Sequence, residues 1–155
     1  MVNLADLEGV YVERLAAFRR VATAITGDRD AGFDAVQEAF AVAVRKRGRF
    51  RGDGSLESWV WKIVVNSARS SRRASGRRMR REREAQARFD TSSESSDVPL
   101  DVLTNRQREV VFLRYFADLS YAEIGEVLGV AEGTVGATLN TALGALRRAM
   151  QEATA

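Results

Sequence analysis

The side chains in this sequence that could do chemistry are suited to binding rather than to catalysis. The chain has no Cys and no His, which excludes disulfides, thiolate and imidazole metal sites, a Cys nucleophile and any His acid–base pair. We therefore expect no enzymatic activity, no catalytic residue, no metal site and no cofactor. Lys and Arg side chains remain to neutralise phosphates, and Asn66 offers both a donor and an acceptor to a base edge.

Positive charge is distributed unevenly along the chain. The net charge is +3, but residues 1–100 hold 19 Lys and Arg against 14 Asp and Glu, whereas residues 101–155 hold 5 against 7. Most of the excess lies in "RKRGRFR" at 45–51 and in the arginine-rich run at 69–88. Because a basic cluster is the usual electrostatic mark of a protein that binds a polyanion, this distribution favours a nucleic-acid partner over a solvated tail.

Helices must position these residues, because the apolar side chains of the first half recur at helical spacing. They predict three helices before residue 74, with apolar stripes at 15–25, 36–44 and 60–68. From "RASGRRMRRERE" through "DTSSESSDVP" the apolar content falls, Ser and charge dominate, and the only proline occurs. We interpret this stretch as a linker. The sequence then divides into a first domain at 1–74, a linker at 75–100 and a second domain at 101–155.

The second domain has the pattern of a helix-turn-helix. Thr104 and Gln107 have the Ser/Thr-x-x-Glu/Gln spacing that begins a helix, and Ser120 and Glu123 repeat it. Gly129 marks a turn, and a further helix follows with a buried stripe at Val135, Leu139, Ala142 and Leu146. An ordinary helical hairpin is the alternative. The whole chain is therefore predicted to be all-α, with two small helical domains joined by a flexible linker.

Two sets of motifs occur in a fixed order along the chain. The first half holds "DAVQEAF", "RFRGDGSLESWVWKIVVNSAR" and the arginines that follow. The second half holds "LTNRQREVVFLRYFADLSYAEIGEVLGVAEGTV". In this order, with a linker between them, they resemble regions 2 and 4 of the extracytoplasmic-function (ECF) group of bacterial sigma-70 family RNA polymerase sigma factors, over about residues 8–150.

The resemblance implies a function and a set of partners. In that family region 2 binds the clamp helices of the largest polymerase subunit and captures melted −10 DNA, while region 4 reads the −35 duplex and contacts the flap. We therefore expect a sigma factor that directs core RNA polymerase to specific promoters and helps to melt the −10 element. Whether an anti-sigma protein also binds is left open. No apolar run approaches the roughly 18 residues of a membrane span, so we expect a cytoplasmic protein without membrane insertion. We also expect the free protein to be a monomer.

The positions in region 2 that match the family fall into two groups. The resemblance assigns polymerase binding to the second predicted helix, at Asp34, Gln37 and Glu38, which share one surface, and at Phe40 in the apolar stripe beside them. It assigns −10 DNA binding to a segment rich in cations and aromatic rings, at Arg49, Phe50, Arg51, Trp59, Lys62, Asn66, Arg69, Arg72 and Arg73. The loop "RGDGS" at 51–55 would surround an extruded base. Trp59 and Trp61 point to different sides of a helix, so at least one belongs to the core, and DNA contact by Trp59 is left open.

The predicted DNA-reading helix of region 4 has an unusual composition. Its segment "TVGATLNTALGAL" at 134–146 contains no Lys, Arg or His, although the family usually places several basic residues there. The candidate −35 contacts are small or polar: Thr134, Gly136, Ala137, Thr138, Asn140 and Thr141. Each missing phosphate contact lowers the salt slope of binding by about one, and Ala131, at the expected N-cap, lacks a capping oxygen. The sequence therefore predicts weak, charge-poor −35 readout.

Three interpretations of this helix remain. It could enter the major groove, with backbone N–H groups near Thr134 on phosphate, Asn140 on an adenine edge, and Thr138 or Thr141 against a thymine methyl. Its small side chains, at spacings of four, could instead admit a protein helix, so that region 4 docks another regulator or region 2. The whole chain could also be a sigma-like adaptor or mimic that does not initiate transcription. We favour the first, because region 2 retains the cationic and polar groups that promoter opening needs.

Overall fold

The protein is built from α-helices. The structure, a computed structural model, describes the backbone of residues 1–85 and 100–154 and the side chains of 1–78 and 100–154. Those residues form six α-helices, two short 3-10 turns and no β-strand, which confirms the predicted all-α fold. The helices are α1 (Leu4–Thr26), α2 (Arg29–Lys46), α3 (Leu56–Ala85), α4 (Asn105–Tyr115), α5 (Tyr121–Leu128) and α6 (Glu132–Thr154). Over the described ranges, no helix is long and apolar enough to cross a membrane.

A tight turn sets the packing of α1 against α2. α1 ends at Gly27, whose φ of 78° lies in the left-handed region that favours glycine. Asp28 then caps α2 by accepting a hydrogen bond from the N–H of Ala31 at 2.8 Å. The two helices lie so close at Gly32 that an added Cβ would be 2.6 Å from Oγ1 of Thr23. Glycine at this position therefore permits the close approach of the two helices.

An aromatic cluster forms the core of the first three helices. The ring of Phe18 lies 4.4 Å from that of Trp61 and 5.4 Å from that of Phe40, measured between centroids. Phe18 and Trp61 are both 0% exposed. The predicted apolar stripes supply the rest of this core, and they leave the opposite faces of α2 and α3 for polar side chains.

The last three helices form the predicted helix-turn-helix. Thr104 and Gln107 exchange side-chain-to-backbone hydrogen bonds of 3.2 and 3.0 Å. Ser120 and Glu123 do the same at 3.1 and 3.0 Å, so both predicted starting boxes are confirmed. α5 ends at Gly129, which has a left-handed φ of 72°. The buried stripe of α6 lies where it was expected, at Val135, Leu139, Ala142 and Leu146.

The turn between α5 and α6 folds back onto Gly125. An added Cβ there would lie 2.7 Å from the carbonyl oxygen of Val130. Ala131 follows, and its carbonyl accepts a hydrogen bond from the N–H of Val135 at 3.1 Å, at the start of α6. A side chain at residue 125 would push the turn away, so this glycine helps to fix how α6 is presented.

α3 is longer than the apolar stripe predicts. It continues to Ala85, through the first part of the segment at 75–100 that the sequence assigns to a linker. The physical reason is that "RRMRREREA" consists of Arg, Met, Glu and Ala, which are strong helix formers even without a buried face. The remainder of the predicted linker, residues 86–99, lies outside the described residues.

The two sets of three helices pack against each other. α1 contacts α4, and α3 contacts α5, while α6 packs on α4 and α5. The sequence patterns contain no indication of this packing, because each half has its own complete set of apolar stripes. The contact between the halves is made mainly by α4 and α5, and not by the small-residue face of α6.

Candidate nucleic-acid interface

One face of α3 collects side chains that were predicted to bind −10 DNA. Four of them follow one another at intervals of three and four and therefore lie on the same side of the helix: Lys62, Asn66, Arg69 and Arg73. Three of these side chains are exposed, whereas Arg69 is half-buried. This face can present positive charge and an amide to a polyanion.

The loop before α3 has a backbone that depends on glycine. Gly52 and Gly54 have φ values of 81° and 86°, in the left-handed region that other residues rarely adopt. Ser55 follows and caps α3, its hydroxyl oxygen accepting a hydrogen bond from the N–H of Ser58 at 3.0 Å. The exposed loop at 51–55 is thus anchored at the end from which α3 begins.

Of the two tryptophans, only Trp59 is accessible. Trp61 is 0% exposed and belongs to the core, which confirms that at least one of the pair is structural. Trp59 is half-buried, and its ring centroid lies 5.6 Å from that of Phe50. Exposed Arg49 and Arg51 flank Phe50 in the chain. Aromatic rings set among cations are the features on which single-stranded nucleic acids stack.

Arg69 contacts a residue that sequence reasoning missed, Glu109 of α4. Its Nε donates to Oε1 and Oε2 of Glu109 at 3.0 and 3.1 Å, and its Nη2 donates to Oε2 at 2.8 Å. Glu109 is only 2% exposed. The guanidinium that was assigned to DNA is therefore held by a buried carboxylate. The available signal was a charged residue at the start of the apolar run "EVVFL".

Arg72 lies in the same electrostatic environment. Burial lowers the pKa of its guanidinium from the ordinary value, and the nearby charges of Arg69, Arg73 and Arg108 lower this pKa further. The carboxylate of Glu109 acts in the opposite direction and raises the pKa. Several guanidinium groups therefore share one buried carboxylate, which leaves net positive charge along this edge of α3.

Of the four residues of α2 that were assigned to polymerase, three are exposed and share one face: Asp34, Gln37 and Glu38. The amide nitrogen of Gln37 donates a hydrogen bond to the hydroxyl of Tyr11 at 2.9 Å. Glu38 lies 3.9 Å from Nη2 of Arg45, in a pair that is open to solvent. These polar groups are accessible to a partner.

Phe40 does not belong to that exposed surface. It is 9% exposed, and its ring packs edge-on against Tyr11 at 4.8 Å and lies 5.4 Å from Phe18. The assignment of Phe40 as a direct polymerase contact is therefore corrected. A large apolar ring at this helical position is buried with its neighbours, and it supports the polar face from beneath.

A groove runs between α2 and α3. It has a volume of about 530 Å³, and it is lined by Asp34 and Glu38 on one side and by Asn66 on the other. The carboxylates assigned to polymerase thus face the same groove as the amide assigned to DNA. Within the described residues, no cluster of three or more acidic side chains is placed to hold a metal ion.

The candidate −35 residues on α6 differ in how accessible they are. Four are exposed: Thr134, Ala137, Asn140 and Thr141. Gly136 is half-buried, and a Cβ added there would lie 3.5 Å from the ring of Tyr121. The hydroxyl of Thr141 donates to the carbonyl of Ala137 at 3.0 Å, so its proton is used within the helix. Asn140 is thus the exposed amide best able to read a base edge.

A cation that sequence reasoning missed lies beside α6. Arg106 of α4 lines a shallow pocket of about 320 Å³ together with Thr138 and Thr141. It is exposed, and its Nη1 donates to the carbonyl of Leu128 at 3.4 Å. Tertiary packing therefore brings a positive charge to a helix whose own central segment has none.

Comparisons with known sequences agree with this architecture. The family model described as "Sigma-70 region 2" matches residues 10–78, and that described as "Sigma-70, region 4" matches residues 100–148. The chain is 30% identical over 123 residues to the ECF RNA polymerase sigma-E factor of Haemophilus influenzae, covering 66% of this chain and 65% of that protein. It is 28% identical over 143 residues to RNA polymerase sigma factor SigV of Bacillus subtilis, covering 84% and 82% of the two chains.

The fold is also shared with a solved structure. The sigma factor RpoE of Bartonella quintana, solved in complex with the anti-sigma factor NepR, superposes with a TM-score of 0.77 at 23% identity. The match covers 96% of this chain and 98% of that one. The chain thus matches both family regions in their proper order. It is also similar in sequence to sigma factors of the ECF type and shares the fold of a sigma factor. The chain belongs to the sigma-70 family of RNA polymerase sigma factors, in its extracytoplasmic-function group.

Proposed function

We propose that this protein directs core RNA polymerase to promoters, and that the exposed face of α3 holds the melted −10 strand. The observation that carries the proposal is the grouping of Trp59, Lys62 and Asn66 on that face, next to the glycine-dependent loop at 51–55. The cation neutralises the backbone, the ring stacks on a base, and the amide pairs with a base edge. No catalytic residue of this chain is needed, because the nucleotide chemistry belongs to polymerase.

Binding energy is what this face contributes to promoter opening. Extruding a base costs a few kcal/mol of unstacking and unpairing. Stacking that base on an aromatic side chain recovers about 1–3 kcal/mol. Trp59 is held against Phe50, so its ring is already in place and loses little freedom on binding. One stacked base and the flanking arginines offset much of the cost, and polymerase supplies the remaining DNA contacts.

The exposed polar face of α2 is the proposed polymerase contact. Asp34 and Glu38 bring negative charge that suits a basic partner, and the hydrogen bond from Gln37 to Tyr11 orients the amide between them. The groove that these carboxylates share with Asn66 supports a coupled arrangement. Polymerase bound along α2 would lie directly beside the strand held on α3.

The contact with −35 DNA is proposed to be weak but selective for sequence. Asn140 would read an adenine edge, and Thr138 would meet a thymine methyl group. Arg106 would provide one phosphate contact from α4. With so few cations, the salt slope of duplex binding should be shallow, close to one per phosphate contact.

An anti-sigma protein is a further candidate partner. The support is that the sigma factor of Bartonella quintana, which shares this fold over nearly its whole length, was solved with an anti-sigma factor. Binding of this chain to such a protein would compete with binding to polymerase if both used the exposed face of α2.

The test combines binding with transcription. The purified chain is mixed with core RNA polymerase, its co-elution is measured, and run-off transcripts are collected from a library of promoter fragments. We expect stable association and transcripts from a subset of fragments that share a −10 sequence. Co-elution without transcripts from any fragment would favour an adaptor or mimic. Absence of both association and transcripts would reject the sigma function altogether.

A matched variant separates the two proposed faces. Lys62→Ala combined with Asn66→Ala removes two exposed side chains of α3 and leaves the face of α2 intact. We expect this variant to co-elute with core polymerase as the wild type does, but to lose the transcripts. Transcription at the wild-type level would show that this face does not hold the −10 strand.

A further inference from the structure

Arg108, in the first turn of α4, has a guanidinium group that the proposed function does not use. Its Nη2 donates a hydrogen bond to the carbonyl of Leu100 at 3.0 Å. Its Nε is buried and has no hydrogen-bond partner within the described residues. A buried N–H group without an acceptor costs free energy, and more so when the group is charged. A shift of this guanidinium toward an anion would therefore break no hydrogen bond at Nε.

Arg108 belongs to a group of like charges, which we call the arginine cluster: Arg69, Arg72, Arg73 and Arg108. Burial is the main cause that lowers the pKa of the Arg72 guanidinium, and the charges of the other three arginines lower this pKa further. One carboxylate, that of Glu109, lies among them and accepts a hydrogen bond from Arg69 at 2.8 Å. Four guanidinium groups and one carboxylate leave the arginine cluster with a net charge of +3.

The arginine cluster suits a compact anion that carries several charges. Arg73 is exposed, whereas Arg72 and Arg108 are half-buried, and partial burial strengthens the attraction of a guanidinium for an anion. Arginine also binds phosphate oxygens through paired N–H groups. A single phosphate group carries only about −1.5 to −2 at neutral pH. Two linked phosphate groups therefore match the net charge of the cluster better than one.

We propose that Arg72, Arg73 and Arg108 form a binding site for a small polyvalent anion, of the class that carries a diphosphate group. Arg69 is not part of the site, because its Nε and Nη2 both donate to Glu109. The bound anion offsets the repulsion between the three guanidinium groups. Arg72 and Arg73 are also candidates for contacts with the −10 strand, so the anion and the strand compete for them. This competition rests on the proposed function of α3.

Calorimetric titration of the full chain with pyrophosphate tests the site directly. Arg108→Gln removes the charge but keeps a polar side chain, and the loss of one charge-assisted contact should weaken pyrophosphate binding by about tenfold. Arg148→Gln is the matched control, because it makes the same charge change at an exposed position on α6. We expect this control to bind pyrophosphate like the wild type. Equal affinities for the two variants would overturn the proposal.

Competition with single-stranded DNA separates a specific site from general screening of charge. Oligo(dT) is a suitable probe, because phosphate contacts do not depend on sequence. For the wild type, we expect pyrophosphate to weaken the binding of labelled oligo(dT) more than sodium sulfate does at equal ionic strength. Arg108→Gln should bind oligo(dT) like the wild type, but pyrophosphate and sulfate should then have equal effects. A pyrophosphate effect that survives in Arg108→Gln would overturn the proposal.

The remaining outcomes are also decisive. Circular dichroism shows whether Arg108→Gln is folded. If it is not, Arg73→Gln, at an exposed position, takes its place in the calorimetry and should also weaken pyrophosphate binding by about tenfold. Oligo(dT) binding by a wild-type chain that does not bind pyrophosphate rejects the anion site alone. Pyrophosphate binding by a chain that does not bind oligo(dT) supports the anion site and rejects the proposed function of α3.

Discussion

Replacing the two tryptophans of α3 one at a time should separate a structural role from a binding role. Trp61 is 0% exposed, with its ring 4.4 Å from that of Phe18. Trp61→Ala should therefore lower the free energy of unfolding by about 3–5 kcal/mol, the usual cost of emptying an aromatic core position. Trp59 is half-buried against Phe50. Trp59→Ala should cost only about 1–2 kcal/mol, from one aromatic pair and a part of the ring's burial.

The effects on DNA binding should run in the opposite order. A base stacked on an aromatic ring contributes about 1–3 kcal/mol, so Trp59→Ala should weaken the binding of single-stranded −10 DNA by about 5- to 150-fold. Trp61→Phe is the matched control. It keeps an aromatic ring in the core, and within the described residues the indole N–H that it removes is buried without a hydrogen-bond partner. We expect DNA binding by Trp61→Phe to equal that of the wild type.

Two measurements decide this prediction. Urea unfolding followed by circular dichroism gives the loss of stability, and fluorescence anisotropy of a labelled −10 oligonucleotide gives the affinity. A Trp59→Ala variant as unstable as Trp61→Ala would show that Trp59 is a core residue. A stable Trp59→Ala variant with unchanged affinity would refute the stacking role.

Three further tests use substitutions whose effects have a predictable direction. Gly32→Ala should lower the free energy of unfolding by about 1–3 kcal/mol, because its Cβ would lie 2.6 Å from a side-chain oxygen of α1. Gly144→Ala is the control, because a Cβ added there would meet no atom within 4 Å outside its own stretch of helix. It should raise the free energy of unfolding by up to about 1 kcal/mol in the same urea titration. Asp34→Lys with Glu38→Lys should weaken association with core polymerase by a few kcal/mol, and normal co-elution at physiological salt would contradict the assignment of this face. Ala137→Arg, at an exposed position on α6, should steepen the salt dependence of promoter-duplex binding by about one, whereas an unchanged slope would argue against groove entry.

Local features of the fold could be predicted because their causes lie within a few residues. The Thr104–Gln107 and Ser120–Glu123 boxes satisfy backbone groups three positions away, so their spacing alone marks where α4 and α5 begin. Gly129 ends α5 by its own left-handed backbone. The buried stripes follow from helical periodicity. Each of these patterns needs no knowledge of the rest of the molecule.

Features that depend on tertiary packing could not be predicted in this way. Arg69 and Glu109 are 40 positions apart in the chain, and no local pattern joins them. Arg106 lies beside α6 only because α4 packs there. By contrast, Phe40 lies in the apolar stripe at 36–44, and its burial against Tyr11 and Phe18 follows from that stripe. The candidate site was therefore predictable in its residue types, but not in the tertiary contacts that hold Arg69 and bring Arg106 beside α6.

The most direct test of the central claim is permanganate reactivity of the thymines in the −10 element of a promoter bound by core polymerase and this chain. The reagent modifies thymines only where the duplex is melted, so it reports the step assigned to the face of α3. We predict strong reactivity with the wild type and none with Lys62→Ala combined with Asn66→Ala, although that variant still co-elutes with core polymerase. Equal reactivity with the double variant would contradict the claim that this face holds the melted strand.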